Sequence, residues 1–388
     1  MKTARALLLI LVVTRAVAFA TDAGRPIRVD FINPLVDPSG SDAVWSLFDI
    51  GYIKISQAAA KQLGMVFTPH PAFRPETMEA ETRRLISGPD RPDYLVVTIH
   101  RGIGVRLLEI AEQAKVPVFV INAGLLDEDR RRVGGPREHY KYWIGQMLPD
   151  DEAAGYELAK ILIDRARLDQ RFNRNGQVSL AAFSGRVVDG AAVQRNLGLQ
   201  RAVAGNPLVK LVQVVPAAWD RAAARAKIPL LLERYPDVTA IWAANDGMAM
   251  GAIAGLETAG RKPGKDILVG GINWDSDAMH AVADGRLVAT MGGHFLESVW
   301  TLVLLCDHHH GIDFATERVD WRSGMQALNR ENLRNYQPRL ETIDWEKINF
   351  RRLSKYFSPD LKAYRFSLDE LIAPPEASDA PVSNSVER

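Results

Sequence analysis

One cysteine, Cys306, stands in the 388 residues, so the chain can form no intramolecular disulfide and has no lipid-acceptor thiol near its amino terminus. Following the apolar run Leu302–Leu305, it reads as a buried filler of a helix. An excess of one charge is missing too. The 48 basic residues nearly cancel the 47 acidic ones, which leaves no surface suited to nucleic acid and no field to gather acidic substrates. The signatures G-x-S-x-G, H-E-x-x-H and G-x-x-x-x-G-K are absent, and GRKPGKD at Gly260 reads as a helix stop and turn. His308-His309-His310 does not make up for them. Adjacent helical side chains point in different directions, whereas ligands on one face need a spacing of three or four, so a solvated helix end is expected. These absences point to a protein that is not an enzyme and that holds no cofactor and no metal.

The amino terminus, MKTARALLLILVVTRAVAFA, has Lys2 and Arg5 in front, the apolar stretch Ala6–Val13, and small residues Ala18 and Ala20 before a cleavage point. Residues 1–20 therefore read as a secretory signal, and the periplasm is the expected compartment. The apolar stretch falls short of the roughly 20 residues that a permanent membrane helix needs.

From Ile27 onward β-rich runs alternate with helical patterns. The runs begin at Ile27, Met65, Tyr94, Val118, Val178, Leu211, Ala240 and Ile267, and such alternation is the mark of parallel sheets built from βαβ units. Two groups of about four units predict an α/β fold of two similar doubly wound lobes. The alternation stumbles between Leu125 and Tyr142. The expected division is an amino-terminal lobe of residues 25–145 plus about 292–320, a carboxyl-terminal lobe of 146–291, an aromatic extension of 321–372 packed on one lobe, and a disordered tail of 373–388. Crossing between the lobes more than once makes a hinge.

Residues Ala240–Asp275 read as strand, helix and strand, with Asn245 and Asp246 closing the first strand and Asn273 and Asp275 the second. In open parallel sheets ligands sit in the crevice outside the carboxyl ends of the strands, so these side chains are pocket candidates. Asn and Asp at such positions also cap the helix that follows, and capping does not exclude ligand contact. Asn245 and Asn273 are expected to touch ligand, Asp246 and Asp275 to cap or support.

Three stretches, FSGRVVDGAAVQRNLGLQRAV, IWAANDGMAMGAIAGLETAG and GGINWDSDAMHAVADGRLVATM, stand in this order behind the signal segment. Together they resemble the type I periplasmic solute-binding proteins of the ribose-binding and LacI-related superfamily, over roughly Arg25 to Met325. The amino-terminal motifs RPIRVDFINP, PDYLVVTIHR and VINAG are most similar to the autoinducer-2 receptors of the LuxP type. The resemblance implies a ligand pocket of Trp45, Thr98, His100, Arg101 and Asn122 from one lobe, with Arg195, Trp219, Asn245 and Asn273 from the other. Amides and a guanidinium suit a polyhydroxylated ligand, and tryptophan rings suit its C–H faces. Residue by residue, simpler roles stay open: a surface helix position for Arg195, lobe packing for Trp219, an exposed loop for His100 and Arg101. Two positions depart from the pattern. Asn273 stands where many sugar binders carry Asp, and Gly292 and Gly293 stand where the autoinducer-2 receptors place a second arginine, which argues against a borate diester. The bare glycines would also leave room for a larger or less polar ligand.

The implied activity is that of a monomeric substrate-binding protein of an ABC importer, closing on a small carbohydrate-like molecule and engaging a membrane permease. Two alternatives are a sensory receptor that presents its ligand to a membrane kinase or cyclase, and a carrier of a lipid-like ligand. A signal segment where a repressor carries its helix-turn-helix excludes nucleic acid as a partner.

Overall fold

The computed structural model describes residues 25–33, 52–72 and 74–372. Trp45, the signal segment and the tail lie outside the described residues. The chain begins with β1 (Ile27–Asn33), α1 (Tyr52–Gln62), β2 (Met65–Pro71), α2 (Pro75–Ser87), β3 (Tyr94–Val97), α3 (Gly104–Ala114), β4 (Val118–Ile121), α4 (Asp127–Val133) and β5 (Trp143–Pro149). The second lobe follows with α5 (Asp151–Leu168), β6 (Val178–Ser184), α6 (Gly190–Val203), β7 (Val209–Pro216), α7 (Arg221–Arg234), β8 (Ala240–Ala243), α8 (Asp246–Thr258), β9 (Leu268–Ile272), α9 (Ser276–Asp284) and β10 (Ala289–Gly292). The return consists of α10 (Glu297–His309), β11 (Asp320–Ser323), β12 (Gln326–Asn329) and α11 (Leu333–Thr342).

Two six-stranded sheets result, ordered β11-β5-β4-β3-β1-β2 and β12-β10-β9-β8-β6-β7. Every pairing is parallel except β10 with β12. The short strands YLVV, VFVI and AIWA are buried at every position, as they must be when helices cover both faces of a parallel sheet.

The chain crosses between sheets three times: from β5 to α5, from β10 to α10, which packs on α1, β4 and β5, and from β11 to β12. The first crossing lies after Pro149 rather than at residue 145, because β5 completes four more residues in the amino-terminal sheet. The stretch after Trp321, expected as an appendage to one lobe, instead serves both. It supplies an edge strand to each sheet, and α11 then packs on α9.

Farther along, residues 345–366 dock on the amino-terminal lobe through Asp307, a fully buried carboxylate on α10. It accepts hydrogen bonds from the Lys355 N–H at 2.7 Å, the Tyr356 N–H at 3.1 Å, the Tyr364 hydroxyl at 2.8 Å and the Ser354 hydroxyl. Phe366 stacks on Trp300 with ring centroids 5.5 Å apart. The neighbouring histidines are not a solvated helix end. His308 Nδ1 lies 2.8 Å from the Tyr94 hydroxyl and His310 stacks on Tyr356 at 3.6 Å, because the extension and β3 cover that end of α10.

Helices α5 and α6 touch through backbone. A Cβ on Gly155 would lie 2.1 Å from the Arg195 carbonyl oxygen, and one on Gly198 would lie 2.0 Å from that of Glu152. Only glycine permits this approach. Gly198→Val is expected to destabilise the carboxyl-terminal lobe by about 3 kcal/mol, since overpacking forces the backbones apart. Urea denaturation with an unchanged midpoint would contradict that tight crossing.

Candidate functional site

Nine non-glycine residues in the described chain have positive φ, and six of them, Arg101, Asn122, Ala218, Trp219, Asn273 and Trp274, sit just past strand ends that face the other lobe. Each such conformation costs of order 1–3 kcal/mol and persists only where its surroundings hold it, so strain concentrates at working sites. The same strand ends were singled out from the sequence, and here they line one cleft between two sheets.

Asp189, the residue before α6, joins the lobes across this cleft and has only 3% of its surface exposed. One carboxylate oxygen accepts the Arg101 backbone N–H at 3.1 Å and lies 3.4 Å from His100 Nδ1, both in the amino-terminal lobe. The other accepts the Trp219 indole N–H at 2.7 Å within its own lobe. The two lobes therefore meet across the cleft in this structure. Burial holds the His100 imidazole below its ordinary value, against the opposing pull of Asp189.

The remaining candidates divide by how fully they are already engaged. Arg195 is buried with its Nε 2.7 Å from Asp151 Oδ1 and one Nη 2.6 Å from the Ala244 carbonyl oxygen, and its guanidinium lies 5.7 Å from the Trp219 ring centre. It is not a surface helix residue. Burial raises the Asp151 carboxyl, with Arg195 opposing, so removing Arg195 would strand a buried charge and cost stability as well as any affinity. Asn245 caps α8, accepting the Met248 N–H at 2.8 Å and donating to the Trp219 carbonyl oxygen at 3.3 Å. Trp219 is half-buried, its ring seated where a Cβ on Gly185 would come within 2.2 Å of it. Thr98 is buried and its hydroxyl has no hydrogen-bond partner among the described residues. Asn273 is half-buried at the cleft, and Arg101 is exposed at its rim.

The space expected at Gly292 is filled. The fully buried Trp274 ring lies 2.4 Å from where a Gly292 Cβ would stand, and its indole N–H reaches the carbonyl oxygens of Thr290 at 3.2 Å and Gln326 at 3.1 Å. Those glycines admit an indole of the chain itself, and the lipid-carrier reading loses the room on which it rested.

Asp246 supports the floor. Its carboxylate is fully buried and accepts the Thr290 hydroxyl at 2.8 Å and the Asp275 N–H at 2.9 Å. Burial outweighs these donors and pushes the carboxyl from 3.8 up to about 7. A folded-state value raised in this way contributes stability that is full below the unfolded value and lost as pH rises through about 7. Asp246→Asn is expected to flatten this part of the stability profile between roughly pH 4 and 7. Chemical denaturation at both ends of the window checks it, and identical slopes in the two proteins would rule the assignment out.

Beside the hinge lies a cavity of about 360 Å³, bounded by the loop after β4, the end of β5 and the first turn of α6. Of the candidates named from the sequence, it takes in Asn122 alone. Asp189, Trp274 and this cavity escaped sequence reasoning. Asp189 carried one signal, a helix-capping position inside a recognised motif; the others depend on packing between distant segments.

A sequence model of the periplasmic binding protein domain matches residues 52–306. The chain is 31% identical over 184 residues to the ribose import binding protein RbsB of Salmonella typhimurium, 47% of this chain and 54% of that protein. It is 33% identical over 193 residues to RbsB of Bacillus subtilis, 50% of this chain and 58% of that one. The chain thus spans about half the length of the curated relatives it matches. A solved periplasmic sugar-binding protein from Pseudomonas fluorescens superimposes with a TM-score of 0.75 at 32% identity, over 89% of this chain and 99% of that one. The chain belongs to the periplasmic binding protein family, in its two-lobed type I form.

Proposed function

We propose that the protein is the periplasmic substrate-binding component of an ABC importer and closes around one small carbohydrate-like molecule. The observation that carries this reading is the strained strand ends of both sheets meeting at a cleft that Asp189 latches shut. Ribose-binding relatives support the ligand class. Ligand energy shifts an equilibrium between open and closed lobes, and the permease recognises the closed form. A thermal-shift screen of pentoses, hexoses and polyols tests it, because a ligand bound only by the folded state raises the melting temperature. A panel with no stabilising sugar or polyol would sink the reading.

The similarity of RPIRVDFINP and PDYLVVTIHR to the autoinducer-2 receptors favours a second reading, a sensor that docks on a membrane kinase or cyclase. Capture of a purified permease, or of a kinase ectodomain, by the ligand-loaded protein separates the two.

A further inference from the structure

Where the loop after β3 meets the loop before α6, three charged side chains surround one imidazole. His100 is half-buried, with its Nδ1 3.4 Å from Asp189 Oδ1, while Arg101 Nε donates to its Nε2 at 3.1 Å. A ring nitrogen that accepts a hydrogen bond carries no proton, so Nδ1 holds the single N–H and the ring is neutral. The turn beneath it is fixed by left-handed backbone, with φ of 51° at Arg101 and 73° at Gly102. A second proton would aim Nε2–H at the Arg101 Nε–H and set a further positive charge beside Arg101 and Arg186. Asp189 is the one carboxylate facing the ring among the described residues, and it is already met by the Arg101 backbone N–H, by the Trp219 indole N–H and by Arg186 at 3.7 Å. Little of its charge is left for an imidazolium.

We propose that closing the lobes expels one proton from His100 to solvent, so that acid opens the clamp and weakens its hold on ligand. The inference rests on the reading of the protein as a clamp that closes on a ligand, and adds a condition under which it lets go. With the lobes apart, Asp189, Arg186 and the start of α6 no longer cover the ring, which then titrates near its ordinary 6.5. With the lobes together, burial holds it lower, Asp189 pulls the other way, and Arg186 and Arg101 reinforce the burial. The cationic ring therefore belongs to the open state. Closure keeps its full free energy above about pH 6.5 and loses it as pH falls through that value, until the covered ring itself takes up the proton. Asp246, which titrates near pH 7, contacts Thr290 and Asp275 within the carboxyl-terminal lobe, so its titration moves stability and not closure.

The test is titration calorimetry of the full chain with the best sugar or polyol from the screen, at about pH 7.5 and 5.5, on wild type and His100→Asn. At pH 6.5 the titration is repeated in two buffers of different ionisation enthalpy, which reads proton release directly. In wild type the dissociation constant is expected to be at least threefold larger at the lower pH, with a ceiling of about tenfold set by one proton over one pH unit below 6.5. His100→Asn, which has no ring to protonate, should lose both this change and the release of protons. Equal pH slopes in the two proteins would overturn the proposal. Small-angle scattering of the ligand-free wild type gives a measurement that depends on neither the variant's folding nor a ligand. A radius of gyration larger at pH 5.5 than at 7.5, with unchanged circular dichroism, supports the acid-opened latch, and a constant radius overturns it. A panel without any binder counts against the sugar-binding reading and leaves the scattering to decide the latch.

Discussion

Replacing Asp307 by alanine is expected to lower the melting temperature by roughly 10 °C and to free the carboxyl-terminal segment from the amino-terminal lobe. The carboxylate lies fully buried and accepts two backbone N–H groups and two hydroxyls from residues 354–364, more than 45 positions away in sequence. Hydrogen bonds to a charged group contribute about 1.5–3 kcal/mol each, and truncation leaves four donors without this acceptor, the Ser354 and Tyr364 hydroxyls among them in buried positions. The losses are not additive, so a total of about 3–5 kcal/mol is the fair expectation. Aromatic stacking of Phe366 on Trp300 remains, but it does not fix the backbone at Lys355 and Tyr356. Limited proteolysis should show new cleavage beyond residue 343 in the variant, alongside the lower melting temperature. A variant as resistant as wild type would show that the aromatic contacts alone seat the segment.

Asp189→Ala is expected to speed ligand release by about 10- to 100-fold. Two of its contacts, to the Arg101 N–H and to His100, exist only when the lobes are together, whereas its bond to the Trp219 indole belongs to one lobe in either state. Deleting the carboxylate therefore penalises closure selectively. A charge-assisted hydrogen bond of about 1.5–3 kcal/mol converts to that range of rates, and differences of this kind fall mainly on dissociation. Stopped-flow tryptophan fluorescence with the sugar found by screening gives the rate. Small-angle scattering of the ligand-free variant should show a larger radius of gyration. If neither quantity moved, Asp189 would serve only to seat the Trp219 indole within its own lobe and would not be a latch.

Much of the architecture was legible because parallel strands buried on both faces leave continuous apolar runs, as in YLVV, VFVI and AIWA. Four strands escaped. The run WIGQMLP of β5 follows the charged stretch that looked like a boundary, and β10, β11 and β12 read ATMG, DWRS and QALN, none of them a continuous apolar run. The strand ends facing the cleft were also readable, since they follow from topology. What those side chains do there was not. Whether Arg195 points outward or pairs with Asp151, and whether a glycine pair means empty space or a seat for Trp274, is decided by segments more than a dozen residues away. A sequence motif records a residue's position, but its partners depend on how distant helices pack.

The three crossings bear on the order in which the molecule can assemble. Strands β6 to β10 come from one uninterrupted stretch, Val178–Gly292, so the later lobe lacks only the edge strand β12 when that stretch is complete. The earlier lobe must wait. Until α10 and β11 arrive, β5 is an unpaired sheet edge and the face that α10 covers is bare, the kind of surface that invites mispairing between chains. In a chain made from its amino end, the half synthesised first thus still waits on α10, β11 and the 345–366 segment after strands β6 to β10 of the later half have been made.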